Sequence, residues 1–347
     1  MIEDTTISKQ AGVSAVSFEK TILFSGLLEQ GPLEFFLGAK VSPSLRALRY
    51  AHHDEEMAFV DLVLATYYKY ILRKAPASER PRELLHDIIA DSSPGSLLSA
   101  EAHSLLGVYF ADIDDLQHAI FHFQQAVDGY ALRGRDDALA VCFGRHALAM
   151  FEHGAEREAK QSLLQAETYA STADRALYRH YVHLVRAHGL YFSGKVELAA
   201  AAAAALRAEA DLHVAFLPFV LALEMAGAVE AQEDERIAEL WSELNTIDSE
   251  QVPVGVVATK SRARFLLRKG CFSESTDLVL GFLQGSPLMS NRVKRLMIEE
   301  LMQSEAVTQF PPSLSALFES MLLAVSIESK QNSDCALHLR VSSQDDR

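Results

Sequence analysis

Apolar residues recur three and four positions apart through most of this 347-residue chain, which is the spacing of helices with one buried face. Ala58, Val60, Leu62, Leu64, Tyr67, Tyr68 and Ile71 make one such stripe over several turns. The alternation expected of half-buried strands is almost absent. One run rich in β-branched residues, VPVGVV at 252–257, is broken by a proline and a glycine and reads as an inter-helix loop. Ser or Asp followed by proline or acid marks helix starts, as around Pro81, at Ser93-Pro94, at Ser286-Pro287 and at Pro312-Ser313. The fold class predicted is all-α.

A repeat lies under the helical period. Gly107 and Ala119 stand twelve residues apart, as do Ala147 and Ala159, Ala187 and Ala199, Ala226 and Ala238, and Ala263 and Ser275. Successive pairs are offset by 40, 40, 39 and 37 residues. Seven residues after each first member comes a turn-compatible residue: Asp114, Gly154, Gly194, Glu233 and Gly270. Glycine takes the positive φ that ends a helix at no steric cost, and three of these five are glycine. Two antiparallel helices that cross closely need small residues at matching depths, with the turn between them. The stretch LLGVYFADIDDLQHAIFHFQQA at 105–126 is therefore predicted to be a hairpin broken at 112–115. Phe110 with Phe123, Met150 with Leu163, and Leu266 with Val279 are expected to fill the remaining inter-helix space.

On these positions the sequence resembles the tetratricopeptide repeat (TPR) family, which places Leu-Gly, an aromatic, then Ala, Phe and Ala across two helices. Leu106-Gly107, Phe110, Ala119, Phe123 and Ala126 match in the first unit, and Phe143, Ala147, Met150, Ala159, Leu163 and Ala166 in the second. The third keeps Ala187 and Ala199 and has Ala203 where the family has a large residue. The family's terminal proline is missing, and the spacing exceeds its usual period of about 34. Longer helices or loops follow, as in larger-period members and in related sensor domains of bacterial regulators. The resemblance implies a right-handed superhelical solenoid of antiparallel helix pairs, TPR-like, with five hairpins over 96–285.

The flanks divide accordingly. Residues 1–95 form an N-terminal helical segment in which 44–73 and 82–90 make a possible degenerate first hairpin. The apolar stretch 18–38 either packs on that hairpin, which is favoured, or docks elsewhere. Residues 286–328 supply capping helices at 288–303 and 314–329, which a solenoid needs over its last apolar face, and 329–347 is a flexible tail.

Charge narrows the function classes. The net charge is −15, which argues against a nucleic-acid partner; Arg262, Arg264, Arg268 and Lys269 read as a solvated helix face. Cys142, Cys271 and Cys335 are too few and scattered for a disulfide framework, and Cys142 and Cys271 read as buried small hydrophobes. The polar, acidic N-terminus lacks a secretion signal's order, and the longest apolar runs, 198–206 and 214–223, are shorter than the ~20 residues of a membrane helix. A cytoplasmic protein without a membrane partner is expected. The polyalanine run 198–206 falls on the second helix of the third unit and predicts a close-packed point there.

Chemistry is sparse. His118 and His122 have the i,i+4 spacing of paired ligands, but lie away from Ala119 and Phe123 and read as solvated. His52 with Glu56, and Glu83 with His86, give one ExxH where a di-iron bundle needs two. His180, His183 and His188 follow one helix and read as groove-lining polar residues. No metal, cofactor or catalytic residue is assigned. The resemblance implies a concave groove lined by the first helix of each pair, at Glu101, Ser104, Val108, Val141, Gly144 and, as the partner-binding set, Leu148, Tyr181, Leu184, His188, Tyr191, Lys260 and Arg264. The family's carboxylate clamp is missing from the first two units. The function expected is a non-enzymatic scaffold, adaptor or regulator that binds a protein or peptide in the groove. The alternatives are a peptide-sensing bacterial regulator and, from another class, a metal-dependent helical enzyme. Oligomeric state is left open.

Overall fold

A computed structural model describes residues 80–92, 95–173, 176–213, 216–247, 255–285, 291–303 and position 319. The expected helix 44–73, the apolar stretch 18–38, the capping helix 314–329 apart from position 319, and the tail lie outside the described residues. The described part is all-helical: α1 (Arg80–Asp91), α2 (Leu97–Asp112), α3 (Leu116–Leu132), α4 (Asp136–Glu152), α5 (Glu156–Thr172), α6 (Ala176–Phe192), α7 (Val196–Arg207), α8 (Leu217–Glu230), α9 (Asp234–Thr246), α10 (Val256–Arg268), α11 (Phe272–Gly285) and α12 (Asn291–Gln303). No helix among the described residues is long and apolar enough to cross a membrane. Neighbours in sequence are neighbours in space, so α2 packs on α3, α4 on α5, and so on to α10 on α11.

Local chemistry sets the helix ends. Ser96 caps α2 by accepting a hydrogen bond from the Ser99 amide at 3.1 Å, and Asp115 caps α3 through the His118 amide. Acids in the first turns of α5 and α9, Glu156 and Asp234 among them, face the positive helix end. Each hairpin turn is one device repeated. Asp114, Gly154, Gly194, Gln232 and Gly270 take positive φ. The next residue's amide then donates five positions back: Asp115 to Phe110, Ala155 to Met150, Lys195 to Leu190, Glu233 to Ala228 and Cys271 to Leu266, at 2.8 to 3.0 Å. This Schellman arrangement satisfies the carbonyls that end the first helix. Gly134 and Arg135 repeat it between α3 and α4, a turn not anticipated from sequence.

The turn register corrects the fourth repeat. Its left-handed residue is Gln232, not Glu233, which instead precedes α9 with φ −85°. Counting from the bonded turn, the positions equivalent to Ala187 and Ala199 are Met225 and Ile237, both fully buried, while Ala238 is exposed. The fourth unit thus has large residues where the third has Ala187 and Ala199. Gly107, Ala119, Ala147, Ala159, Ala187 and Ala199 are all buried. The fifth pair touches directly, the Ser275 hydroxyl donating to the Ala263 carbonyl at 3.1 Å.

A continuous apolar core runs from Leu85 of α1 to Ala258 of α10, and a second gathers Ala263, Leu267 and Val279 with Met297 and Ile298 of α12. The helix α12 thus packs against the last hairpin. Where polyalanine α7 meets α8, a Cβ added to Gly227 would lie 2.4 Å from that of Ala200, so the two backbones approach closely there. Phe110 does not fill the space beside Phe123 as expected. Its ring stacks on His122 with centroids 5.2 Å apart, and Phe123 lies against Gly107 and His146.

Candidate functional site

A cavity of about 190 Å³ opens where the ends of α6 and α8 meet the middle of α10 and the first turn of α12. Tyr191 and Phe192 come from α6, Glu230 from α8, Lys260 and Arg264 from α10, and Arg292 from α12. Lys260 and Arg264 stand four apart and so share one face of α10. The Arg264 guanidinium is ion-paired with Glu230 across to α8. Arg292 extends to the α4–α5 turn, where a Cβ on Gly154 would collide with its guanidinium. The lining carries three cations and one carboxylate in a chain of net charge −15.

Tyr191, Lys260 and Arg264, expected together from sequence, do meet in this cavity; Leu148, Tyr181, Leu184 and His188 do not line it. Leu184 is buried and Leu148 packs on the core. Tyr181 lies over Gly144, with its ring 6.4 Å from that of Phe216. His188 is half-buried, its Nδ1 3.0 Å from the Leu184 carbonyl, and burial lowers its pKa. Arg292 was not foreseen, because α12 lies beyond the repeat and carries no register to align.

Four further groove candidates, Glu101, Ser104, Val141 and Gly144, are buried, whereas Val108 is half-buried. Glu101 sits in a closed polar network: Arg145 Nη1 donates to Glu101 Oε1 and to Ser104 Oγ, each at 2.8 Å, and the Tyr130 hydroxyl donates to Glu101 Oε2. Burial and the Glu101 charge push the Tyr130 pKa well up, so it stays a protonated donor. Each partner satisfies another here, which is how buried charge is tolerated.

The histidines also need correction. His118 is exposed, but His122 is buried, with its Nδ1 2.8 Å from His103 Nδ1 and its ring at 6.0 Å from that of His86. The face of α3 that looked solvated is covered by α1 and α2. Burial, with His103, His86 and His118 nearby, pushes the His122 pKa down to about 4. His52 and Glu56 lie outside the described residues, as does the Glu83 side chain. His180 Nε2 lies 3.6 Å from Asp211, and their ligating atoms and that of Glu209 fall within 4.8 Å of one another. Both carboxylates are exposed, and the buried His180 Nδ1 finds no hydrogen-bond partner among the described residues. A ligating imidazole ordinarily donates that second N–H. The proton is better placed on Nε2, facing Asp211.

Cys142 is fully buried, and burial pushes its thiol pKa up to about 12, so it behaves as the small hydrophobe expected. Cys271 is half-buried in the α10–α11 turn rather than inside a helix. The basic face of α10 is busier than expected. Arg262 lies over the rings of Trp241 and Phe265, Arg268 donates to the Val229 carbonyl at 2.7 Å, and Lys269 pairs with Asp234. These contacts tie α10 to α8 and α9. No protein-family model matches the chain, and no curated protein matches it.

Proposed function

We propose that this chain is a TPR-like right-handed superhelical solenoid that acts, without catalysis, as a scaffold, adaptor or regulator in the cytoplasm by holding a peptide or helix of a partner protein. The observation that carries the reading is the meeting of Tyr191, Lys260 and Arg264 with Arg292 in one cavity on the first-helix side of the repeats. Tyrosine and arginine supply much of the binding energy at protein interfaces, through large contact area and multidentate hydrogen bonds. The repeat resemblance and the sequential packing of hairpins support the same reading.

The regulatory form is favoured by one contact. Arg292 reaches from α12 both to the cavity and to the Gly154 turn, so an occupant would bear on α12 and on the second hairpin together. That form predicts a smaller radius of gyration by small-angle scattering once a peptide is bound.

The test is affinity capture from the native cell with wild-type protein and with Tyr191→Ala/Lys260→Ala. The reading expects at least one partner to be lost from a variant with unchanged circular dichroism and melting temperature. A folded variant that retains every partner overturns it.

A further inference from the structure

We infer that His180, Glu209 and Asp211 form a binding site for one divalent transition-metal ion, Zn²⁺ in the first place, which ties α6 to the link between α7 and α8. The site shares no residue with the α6–α8–α10–α12 cavity. Three observations carry it.

The first is spacing. His180 Nε2 and Asp211 Oδ1 stand 3.6 Å apart, and the ligand atoms of all three residues fall within 4.8 Å of one another. A hydrogen bond would draw that nitrogen and oxygen to about 2.7–3.2 Å. Two donors that each lie ~2.1 Å from one tetrahedral ion are about 3.4 Å apart. The observed gap is nearer the second value.

The second is the state of the three side chains. His180 is only 7% exposed, yet its Nδ1 finds no partner among the described residues and its Nε2 faces the Asp211 carboxylate from beyond hydrogen-bond distance. Neither Glu209 nor Asp211 commits its carboxylate to another hydrogen bond or ion pair among the described residues. A buried imidazole that faces two uncommitted carboxylates is costly, and a shared cation relieves the cost.

The third is how the chain builds the place. The helix α7 ends at Arg207 and the backbone turns at once, the Glu209 amide donating to the Leu206 carbonyl at 3.2 Å and the Leu212 amide to the Glu209 carbonyl at 3.3 Å. That turn carries both carboxylates back to the first half of α6, before Phe216 enters the core. His183 stands a turn further along α6, near enough to His180 and Glu209 for their charges to act on it. A donor for a fourth position is thus at hand, and water fills it otherwise.

Imidazole with carboxylate suits Zn²⁺, whereas Mg²⁺ and Ca²⁺ take oxygen ligands. Without an ion, the His180 proton lies on Nε2; with one, it moves to Nδ1, where no acceptor waits among the described residues. A missing outer partner weakens a metal site by about 10–100-fold, so roughly micromolar binding is expected.

The test is calorimetric titration and thermal melting of the full chain, stripped with chelator, with zinc chloride and, for comparison, magnesium and calcium chloride. The inference expects about one Zn²⁺ per chain, bound at least about tenfold more tightly than Mg²⁺ or Ca²⁺, and a raised melting temperature. Glu209→Gln/Asp211→Asn changes two exposed side chains; it should weaken Zn²⁺ at least about tenfold and remove the rise in melting temperature, while His118→Gln keeps both. Long-range ¹H–¹⁵N spectra should show one imidazole moving its proton from Nε2 to Nδ1 with Zn²⁺ in the wild type and not in the double variant. Unchanged binding in the double variant overturns the inference, because the ion then sits on other residues. Mg²⁺ or Ca²⁺ binding as tightly as Zn²⁺, or histidine spectra that do not move, overturns the part given to His180. Absence of binding overturns the whole.

Discussion

Two hairpin turns put a side chain where glycine is the natural occupant. Asp114 and Gln232 have φ of 63° and 61°, while Gly154, Gly194 and Gly270 fill the same role at the other turns. Asp114 gains something in return: its carboxylate lies 3.1 Å from His153 Nε2, linking the first turn to the end of α4. Gln232 is exposed. Left-handed backbone costs an ordinary L-residue roughly 1–2 kcal/mol, partly offset in a Gly variant by the greater freedom of its unfolded chain. Gln232→Gly should therefore stabilise the protein by about 1 kcal/mol, seen as a later urea midpoint at unchanged m-value; a midpoint that stays or falls contradicts the strain at this turn. The three glycines were legible as turns because they recur in phase. Gln232 was not, since nothing in its chemistry marks it, and Glu233 was read in its place.

At the scale of the element, that one-residue error had a definite effect. It put Ala238 at the α8–α9 crossing, where the bonded turn puts Ile237. The two possibilities separate cleanly by mutation. Ile237→Ala should cost about 2–5 kcal/mol by leaving a buried void, whereas Ala238→Leu on the exposed face should stay within about 0.5 kcal/mol. Reversed effects, measured by urea denaturation, would restore the sequence register. The helices themselves and their hairpin pairing were readable, because small residues at fixed phase leave a local trace. The covered face of α3 was not. His122 is buried against Phe110 and His103 of α2, with His86 of α1 beside them, and no local pattern on α3 reports that these rings will lie across it.

Across the whole molecule, buried imidazoles couple stability to acidity. Burial lowers the pKa of His122 and of His146 to about 4, below their ordinary 6.5. Groups depressed in this way bind protons more readily when the chain is unfolded. Stability is therefore whole above pH 6.5 and drains as the pH falls towards about 4. His103 and His86 shift in the same direction, each chiefly through burial. His153 opposes them: burial lowers its pKa, but bonds to Asp114 and the Ala149 carbonyl outweigh that and raise it. Denaturation profiles between pH 7 and pH 4 should show the loss, and His122→Phe/His146→Phe should flatten it; an equally steep profile in the variant would refute the assignment. The cavity belongs to this scale as well. Two of its cations were visible as an i,i+4 pair on one helix, but Arg292 enters from α12, across a distance no repeat register spans.

The near-contact of Gly227 with Ala200 has a mechanical consequence. Where two helices touch through hydrogens and a lone methyl, there are no long side chains whose rotamers can change to let them tilt. At this point of the α7–α8 seam the packing leaves no room for a side chain, so any substitution at Gly227 would force the two helices apart.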